Sequence, residues 1–145
     1  MRKIISRPFL LIITFAFTVV ALTASCSLTK GREQAERAVE QFHKQFNAGQ
    51  YQEIYQQSDA KFKEAVTETE FVQLLEAIRR KLGTVENSTQ IGWRGNATTM
   101  GTVAMVDYDV QFSEGKGTEQ FSFLISGEQA NLLRYNVDSP LLITK

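Results

Sequence analysis

The spacing of apolar residues along the chain changes from a helical period to a strand period at Gly83. Before Gly83, apolar side chains recur every three or four residues, as they do on one face of an α-helix. After Gly83, they alternate with polar side chains, as on a β-strand with one buried face. Because helices precede strands, the sequence predicts an α+β fold with N-terminal helices packed on a curved antiparallel sheet of about four strands.

Three helical segments are predicted before this change of period. Residues 32–48 carry one apolar stripe and end next to Gly49, which suits a left-handed C-cap. A short helix that includes Ile54 and a further turn over 59–65 follow. The segment 66–83 carries the clearest signals: a capping box at Thr67-Glu68-Thr69-Glu70 precedes an apolar stripe. That stripe consists of Phe71, Leu74, Leu75, Ile78 and Leu82.

The strongest strand pattern covers residues 100–112. The face of this strand that is predicted to be buried carries Met100, Thr102, Ala104, Val106, Tyr108, Val110 and Phe112. The opposite face carries Val103 and Met105, followed by Asp107 and Asp109, so it changes from apolar to acidic along the strand. A sheet face of this mixed kind is a candidate surface for contact with a protein partner.

Three more segments complete the predicted sheet. A weaker strand covers 84–93, and clear strands cover 118–126 and 130–138. A glycine-rich loop over 113–117 and a two-residue turn at Gly127-Glu128 connect the later strands. The side chains predicted to point inward are Phe121, Phe123, Ile125, Leu133, Tyr135 and Val137.

Residues 1–25 have the three-part pattern of a secretory signal peptide. Basic residues come first, an apolar run covers 9–22, and Thr23-Ala24-Ser25 supplies small side chains before Cys26. The alternative is an uncut membrane anchor, but the apolar run is shorter than the about 20 residues that span a bilayer. Cleavage before Cys26 is therefore predicted.

The sequence around Cys26, the only cysteine, resembles the lipobox of bacterial lipoproteins, although Thr23 stands where leucine is usual. This resemblance implies that the Cys26 thiol carries a diacylglyceryl group and that fatty-acid chains, such as palmitate, anchor the protein. It also implies a place in the bacterial cell envelope. In a Gram-negative cell, Ser27 favours the outer membrane, facing the periplasm. The predicted organisation is a signal peptide at 1–25, a lipidated cysteine and tether at 26–34, and one α+β domain at 35–145.

Removal of the leader changes the charge of the protein. The leader contains three of the sixteen basic residues and none of the sixteen acidic ones, so the mature chain has a net charge of −3. Nucleic-acid binding requires a basic patch, and a mildly acidic domain argues against it. The predicted partners are the membrane, bound through lipidated Cys26, and either an envelope protein or a second copy of the chain.

The order of helices and strands from Arg32 to Ile143 resembles the NTF2-like, or cystatin-like, fold, in which a curved sheet wraps a long helix to form a cone. The chain also resembles small uncharacterised bacterial lipoproteins at three places: Phe46-Asn47-Ala48-Gly49-Gln50-Tyr51, Leu82-Gly83 and Tyr135-Asn136-Val137-Asp138-Ser139-Pro140. The resemblance implies a cone between helices and sheet, which some NTF2-like enzymes use as an active site.

The sequence offers few candidates for catalysis. His43, the only histidine, is expected at the boundary of the first helix's apolar stripe, as a half-buried surface residue. Asp107 and Asp109 share a strand face and could act as an acid–base pair, but a solvated sheet face or a protein contact is the favoured explanation unless a bulge switches faces. With one histidine and one cysteine, no metal cluster is predicted, and no nucleophile or phosphate-loop motif occurs. We therefore predict no enzyme activity and no cofactor.

Two functions remain after these exclusions. The first is a membrane-anchored, non-enzymatic interaction module that uses the face formed by Val103, Met105, Asp107 and Asp109. The alternative is a small-ligand carrier or enzyme that uses the cone as its pocket. The aromatic side chains that would line this pocket are Phe42, Tyr55, Trp93, Tyr108 and Phe121. Trp93 is also open to two interpretations: a strand-end residue packed on the sheet, or a binding aromatic in a loop over 93–96.

Overall fold

The computed structural model describes residues 29–144. The chain divides into Met1–Lys30 and a compact unit, Gly31–Lys145, to which the contacts described below belong. Helices come before an antiparallel sheet, so the predicted α+β class is confirmed. The elements are α1 (29–48), α2 (Tyr51–Gln56), α3 (Ala60–Ala65), α4 (Glu68–Leu82), β1 (Val85–Thr98), β2 (Gly101–Phe112), β3 (Gly115–Ser126), β4 (Gln129–Asp138) and α5 (Pro140–Thr144).

The four strands form one sheet in the order β1-β2-β3-β4, and each strand pairs antiparallel with the next. The register shifts twice in β1, between Val85 and Asn87 and between Gln90 and Gly92. A third shift lies between β3 and β4: Ser122 pairs with Arg134 and Phe123 pairs with Leu132, so Leu133 is an extra residue in β4. Such irregularities bend strands and increase their twist, so the sheet curves around the helices on its inner face.

Helix α4 begins and ends where the sequence predicts. The Glu70 N–H donates to Thr67 Oγ1 at 3.3 Å, and the Thr67 N–H donates to Glu70 Oε2 at 3.0 Å. These two hydrogen bonds complete the capping box. The Thr67 N–H and the Thr67 hydroxyl, which donates to Glu70 Oε2 at 2.7 Å, hold the pKa of the Glu70 carboxyl below its usual value. Gly83 ends the helix with a φ of 81°, a conformation that side-chain-bearing residues rarely adopt.

The core lies between the helices and the inner face of the sheet. The apolar stripes of α1 and α4, apart from Leu74, which is 47% exposed, form one buried cluster with residues of β2 and β3. The predicted inward alternation of both strands is confirmed from Ala104 to Phe112 and from Phe121 to Ile125. Met100 is an exception: it is 52% exposed, because it lies in the turn between β1 and β2 and not in the strand. Within residues 29–144, no helix is long and apolar enough to cross a membrane.

The N-terminal boundary of the folded region differs from the prediction. Residues 29–34, assigned to a tether, are helical and belong to α1. Gln34 is buried, and its Nε2 donates to the carbonyl oxygen of Gly127 at 2.8 Å. Because Gln34 is polar, it adds nothing to an apolar pattern, although it is buried with a hydrogen-bond partner. The pattern therefore did not reveal this first turn.

Three details of the sheet also differ from the prediction. Strand β1 continues to Thr98, so Trp93 and its successors lie in a strand and not in a loop. The expected loop over 113–117 shrinks to Ser113 and Glu114, because Gly115 already pairs with Phe112. In β4, the buried side chain is Leu132 and not Leu133, because Leu133 is an extra, unpaired residue that changes which side chains of β4 face inward.

Candidate functional site

A cluster of three polar side chains lies buried between α1 and the inner sheet face. His43 comes from α1, Glu119 from β3 and Tyr135 from β4. His43 Nε2 lies 2.6 Å from Glu119 Oε2, and the Tyr135 hydroxyl donates to Glu119 Oε1 at 2.7 Å. Glu119 is only 1% exposed and His43 only 8% exposed, so the expectation that His43 lies half-buried on the helix surface is wrong.

The strand register explains why these groups meet. Glu119 precedes Phe121 by two positions and therefore shares its inward face. Tyr135 pairs directly with Phe121 on the neighbouring strand. A buried carboxyl group is costly unless its oxygens find partners, and here both oxygens have one. Burial, and then the adjacent Glu119 carboxyl group, raise the pKa of the Tyr135 hydroxyl well above its usual value, which keeps it a hydrogen-bond donor.

Aromatic rings enclose the cluster. The His43 ring makes edge contacts with Phe42, Phe121 and Tyr108 at centroid distances of 6.2, 6.0 and 6.4 Å. Tyr135 packs against Phe42 and Phe121 at 4.8 and 5.2 Å. These rings cover the Glu119 carboxyl group, so a substrate has no access to it. The geometry suits a structural role, in which the hydrogen bonds of the cluster hold α1 on the sheet.

The five side chains predicted to line a cone pocket do not surround one opening. Phe42, Tyr108 and Phe121 are buried in the core, where they pack on each other and on His43. Tyr55 contacts a different group, formed by helices α3 and α4, and its hydroxyl donates to the Val66 carbonyl at 3.0 Å. Trp93 is partly buried against the core, as predicted for a residue packed on the sheet, but it lies within β1 and not at a strand end. The space beside Phe42 measures only about 70 Å³.

The predicted interaction face lies on the outer side of the sheet. The residues of β2 that carry it change from the half-buried Val103 and Met105 to Asp107 and the exposed Asp109. Leu124 of β3 lies opposite Val103 and widens the apolar end, whereas Gln120 and Thr118 lie opposite the two aspartates. This surface, defined by Val103, Met105, Asp107, Asp109 and their β3 neighbours Leu124, Ser122, Gln120 and Thr118, is called the outer face below.

A groove of about 600 Å³ lies at the acidic end of the outer face. Asp109 is the only residue of the predicted face among its lining residues. The other polar side chains that line it are Asn87, Thr89, Gln111, Lys116, Thr118 and Asp138. Sequence reasoning missed this groove because it joins all four strands. The strand register of β1 and β4 relative to β2 cannot be read from local periodicity when bulges shift it.

Gly92 allows the Asp107 carboxyl group to lie close against β1. A Cβ atom at position 92 would approach Asp107 Oδ2 to 2.6 Å, which is too close for an ordinary contact. The two residues face each other across the β1–β2 pair, directly after the bulge at Gln90. Because glycine has no side chain, the Asp107 carboxyl group can occupy the space beside Gly92, and Asp107 is half-buried on the outer face.

Stability should fall at high pH because of Tyr108. This side chain is 7% exposed, and burial, with a smaller effect from Glu36 and Glu40, raises its pKa from 10.0 to about 12. A pKa raised by folding means that the unfolded chain loses the proton first, so the stability contributed by Tyr108 is complete below pH 10 and is lost as pH rises towards 12. Urea unfolding between pH 9 and pH 12 checks this.

A Tyr108→Phe variant is the control for that titration. Its free energy of unfolding should decline less steeply over the same pH interval, although Tyr135 still contributes to the decline. An identical slope in the variant and the parent protein would contradict the assignment to Tyr108.

The described residues contain no group of three or more His, Cys, Asp or Glu side chains placed to hold a metal ion; that search covers 29–144. Cys26, the predicted lipidation site, lies outside the described residues.

Comparison with protein families gives a match. The model of a family described as "Protein of unknown function (DUF4019)" matches residues 38–131, which is more than half of the chain. This interval begins in α1, contains α2 to β3 and ends in β4, so it includes both His43 and Glu119. No curated protein matches the chain. The chain belongs to the DUF4019 family.

Proposed function

We propose that this protein is a lipid-anchored bacterial envelope protein with an NTF2-like domain that binds a protein partner and catalyses no reaction. The leader pattern that ends at Cys26 supports the anchor, since a positive segment, an apolar run and small residues precede the only cysteine. Two or more acyl chains are needed for stable anchoring, and a diacylglyceryl thioether supplies two. The order of helices and strands supports the NTF2-like assignment.

The contrast between the two faces of the sheet carries the proposal for binding. On the inner face, aromatic side chains and the His43–Glu119–Tyr135 cluster occupy the space between α1 and the sheet. The cavity left between α4, β4 and α5 measures about 280 Å³, which is smaller than the about 300–1,000 Å³ of typical ligand pockets. On the outer face, Val103, Met105 and Leu124 form an apolar end, with exposed Asp109 and a polar groove beyond it. Protein interfaces usually combine an apolar patch with polar groups next to it. The alternative, a ligand carrier that uses the cone as its pocket, has no comparable support, because the inner face is packed.

The anchor is tested by changing Cys26. The Cys26→Ser variant should fail to incorporate labelled palmitate and should move from the membrane fraction to the soluble fraction, because the acylated thiol is gone. Processing is followed by the mass of the mature chain. A variant that stays in the membrane fraction after the leader has been removed would contradict lipidation at Cys26.

The outer face is tested by site-specific photocrosslinking in cells. A benzophenone side chain at position 105 should give a crosslinked product, whose mass distinguishes a second copy of the chain from another envelope protein. The matched control places the same group at Gln73, an exposed position on α4. Val103→Glu should abolish the product by placing a charge in the apolar end of the face. A product that survives this substitution, or that forms equally well from position 73, would refute the outer face as the binding surface.

A further inference from the structure

The first turns of α1 lie at one particular end of the sheet. The Gln34 side chain donates to the carbonyl of Gly127, in the turn between β3 and β4. A Cβ atom at Gly31 would lie 3.9 Å from Thr102 Cγ2, at the start of β2. These contacts place the start of the compact unit beside the β1–β2 turn and the β3–β4 turn. This end of the domain, which contains residues 98–102 and 126–129, is called the proximal end.

The length of chain before Gly31 limits how far this end can lie from a lipid anchor. Five peptide steps separate Cys26 from Gly31. A fully extended chain spans at most about 3.6 Å per residue, so these steps cover no more than about 18 Å. If acyl chains on Cys26 are inserted in a bilayer, Gly31 is held within that distance of the lipid surface, and the turns that contact this part of α1 are kept near it.

The β1–β2 turn carries an exposed apolar side chain at this end. Met100 is 52% exposed at the tip of the hairpin. Two hydrogen bonds hold the turn in shape: the Thr98 hydroxyl donates to the Gly101 carbonyl at 2.7 Å, and the Met100 N–H donates to Thr98 Oγ1 at 3.3 Å. The residues on either side, Thr99 and Gly101, are uncharged, so entry of the tip into the lipid interface buries no charge.

We infer that the proximal end rests on the bilayer, with Met100 inserted at the lipid interface. This inference rests on the lipid anchor proposed above and adds an orientation to it. The anchor keeps the proximal end at a high effective concentration near the bilayer. The thioether side chain of Met100 alone then suffices for a contact that an untethered domain would not keep.

The orientation also places the polar groove. Gln111 lies ten residue steps after Gly101 in β2, and a strand rises about 3.3 Å per residue, so the groove lies about 30 Å farther along the strand than the hairpin tip. Asp109, Lys116 and Asp138 are thereby presented away from the lipid surface.

The test uses the lipidated full-length protein, purified from cells and reconstituted in vesicles of phosphatidylethanolamine and phosphatidylglycerol. Because Cys26 is the only cysteine and its thiol is acylated, a Met100→Cys variant carries one reactive thiol. Labelling with the fluorophore NBD should give a blue-shifted emission that nitroxide-labelled lipids quench. The matched control is Glu86→Cys, an exposed position at the opposite end of β1, whose label should show neither the shift nor the quenching.

The outcomes separate the two proposals. Equal quenching at positions 100 and 86, or none at either position while the protein remains in the vesicle fraction, would overturn the orientation and leave the anchor intact. Protein that does not float with the vesicles would overturn the anchor itself. Quenching at position 100 must also disappear in a Met100→Cys, Cys26→Ser double variant that is labelled at position 100 after the leader is removed; persistence there would show that the tip binds lipid without the tether.

Discussion

Replacement of Glu119 by alanine is expected to lower the free energy of unfolding by about 3–5 kcal/mol, the cost of removing one partner from a buried polar pair. The substitution leaves His43 Nε2 and the Tyr135 hydroxyl without the carboxyl group that they contact at 2.6 and 2.7 Å. Both remain enclosed by aromatic rings, so water cannot replace the lost partner without disturbing the core. Urea denaturation followed by circular dichroism measures the change.

Glu119→Gln is the matched control for this prediction. Its amide keeps the shape of the side chain and one acceptor oxygen, so the expected loss is smaller, about 1–3 kcal/mol. If alanine and glutamine cost the same, or if alanine costs less than about 1 kcal/mol, the cluster does not hold α1 on the sheet. A double-mutant cycle between Glu119→Gln and Tyr135→Phe then measures how strongly the two groups are coupled.

Phe121→Ala should cost a similar amount for a different reason. The ring is 1% exposed and lies at the centre of the aromatic core, with Phe42, Tyr135 and Phe123 at centroid distances of 5.1, 5.2 and 5.8 Å. Truncation of a buried phenylalanine leaves a cavity and typically costs about 3–5 kcal/mol. Such a loss is a large fraction of the about 5–15 kcal/mol by which a domain is stable. The denaturation midpoint should therefore fall sharply.

Phe121→Leu fills most of the same volume and serves as the control. It should retain the fold and lose no more than about 1.5 kcal/mol, as size-conserving core substitutions do. The exposed Leu74 of α4 provides a second comparison, because its side chain lies on the surface. Leu74→Ala should change stability by no more than about 0.5 kcal/mol. Equal effects of alanine at positions 121 and 74 would contradict the assignment of the core.

Local patterns predicted the fold well where local interactions determine it. The capping box of α4 depends on residues three apart, and both hydrogen bonds between Thr67 and Glu70 are present. The alternation of β2 and β3 depends on every second residue, and it identified which of their faces is buried. These features could be predicted because each is complete within one helix or one strand.

The buried cluster could not be predicted in the same way, although part of its signal was present. Glu119 is an even number of positions away from Phe121, Phe123 and Ile125, so strict alternation places its carboxyl group on the same, buried face of β3. Its partner His43 lies 76 residues earlier, on a helix whose rotation against the sheet no local pattern specifies. A charged residue at an inward position is thus a sign that a distant partner must exist.

Bulges account for the remaining error within the sheet. The expected inward residue of β4, Leu133, exchanges its place with Leu132 because the register shifts opposite it, between Ser122 and Phe123. One extra residue in a strand moves every side chain beyond it to the opposite face of the sheet. The sequence contains no glycine or proline at that point to signal the shift.

The order of the strands in the sheet follows their order in the chain, which has a consequence for synthesis. Each hairpin can close as soon as its second strand has left the ribosome, so the sheet needs no late insertion of a strand. Helix α1 is made first, but His43 meets Glu119 of β3 only after the chain has grown by another 76 residues. During that interval the apolar stripe of α1 has no sheet to cover it, so we expect α1 to be the segment of the nascent chain that chaperones bind.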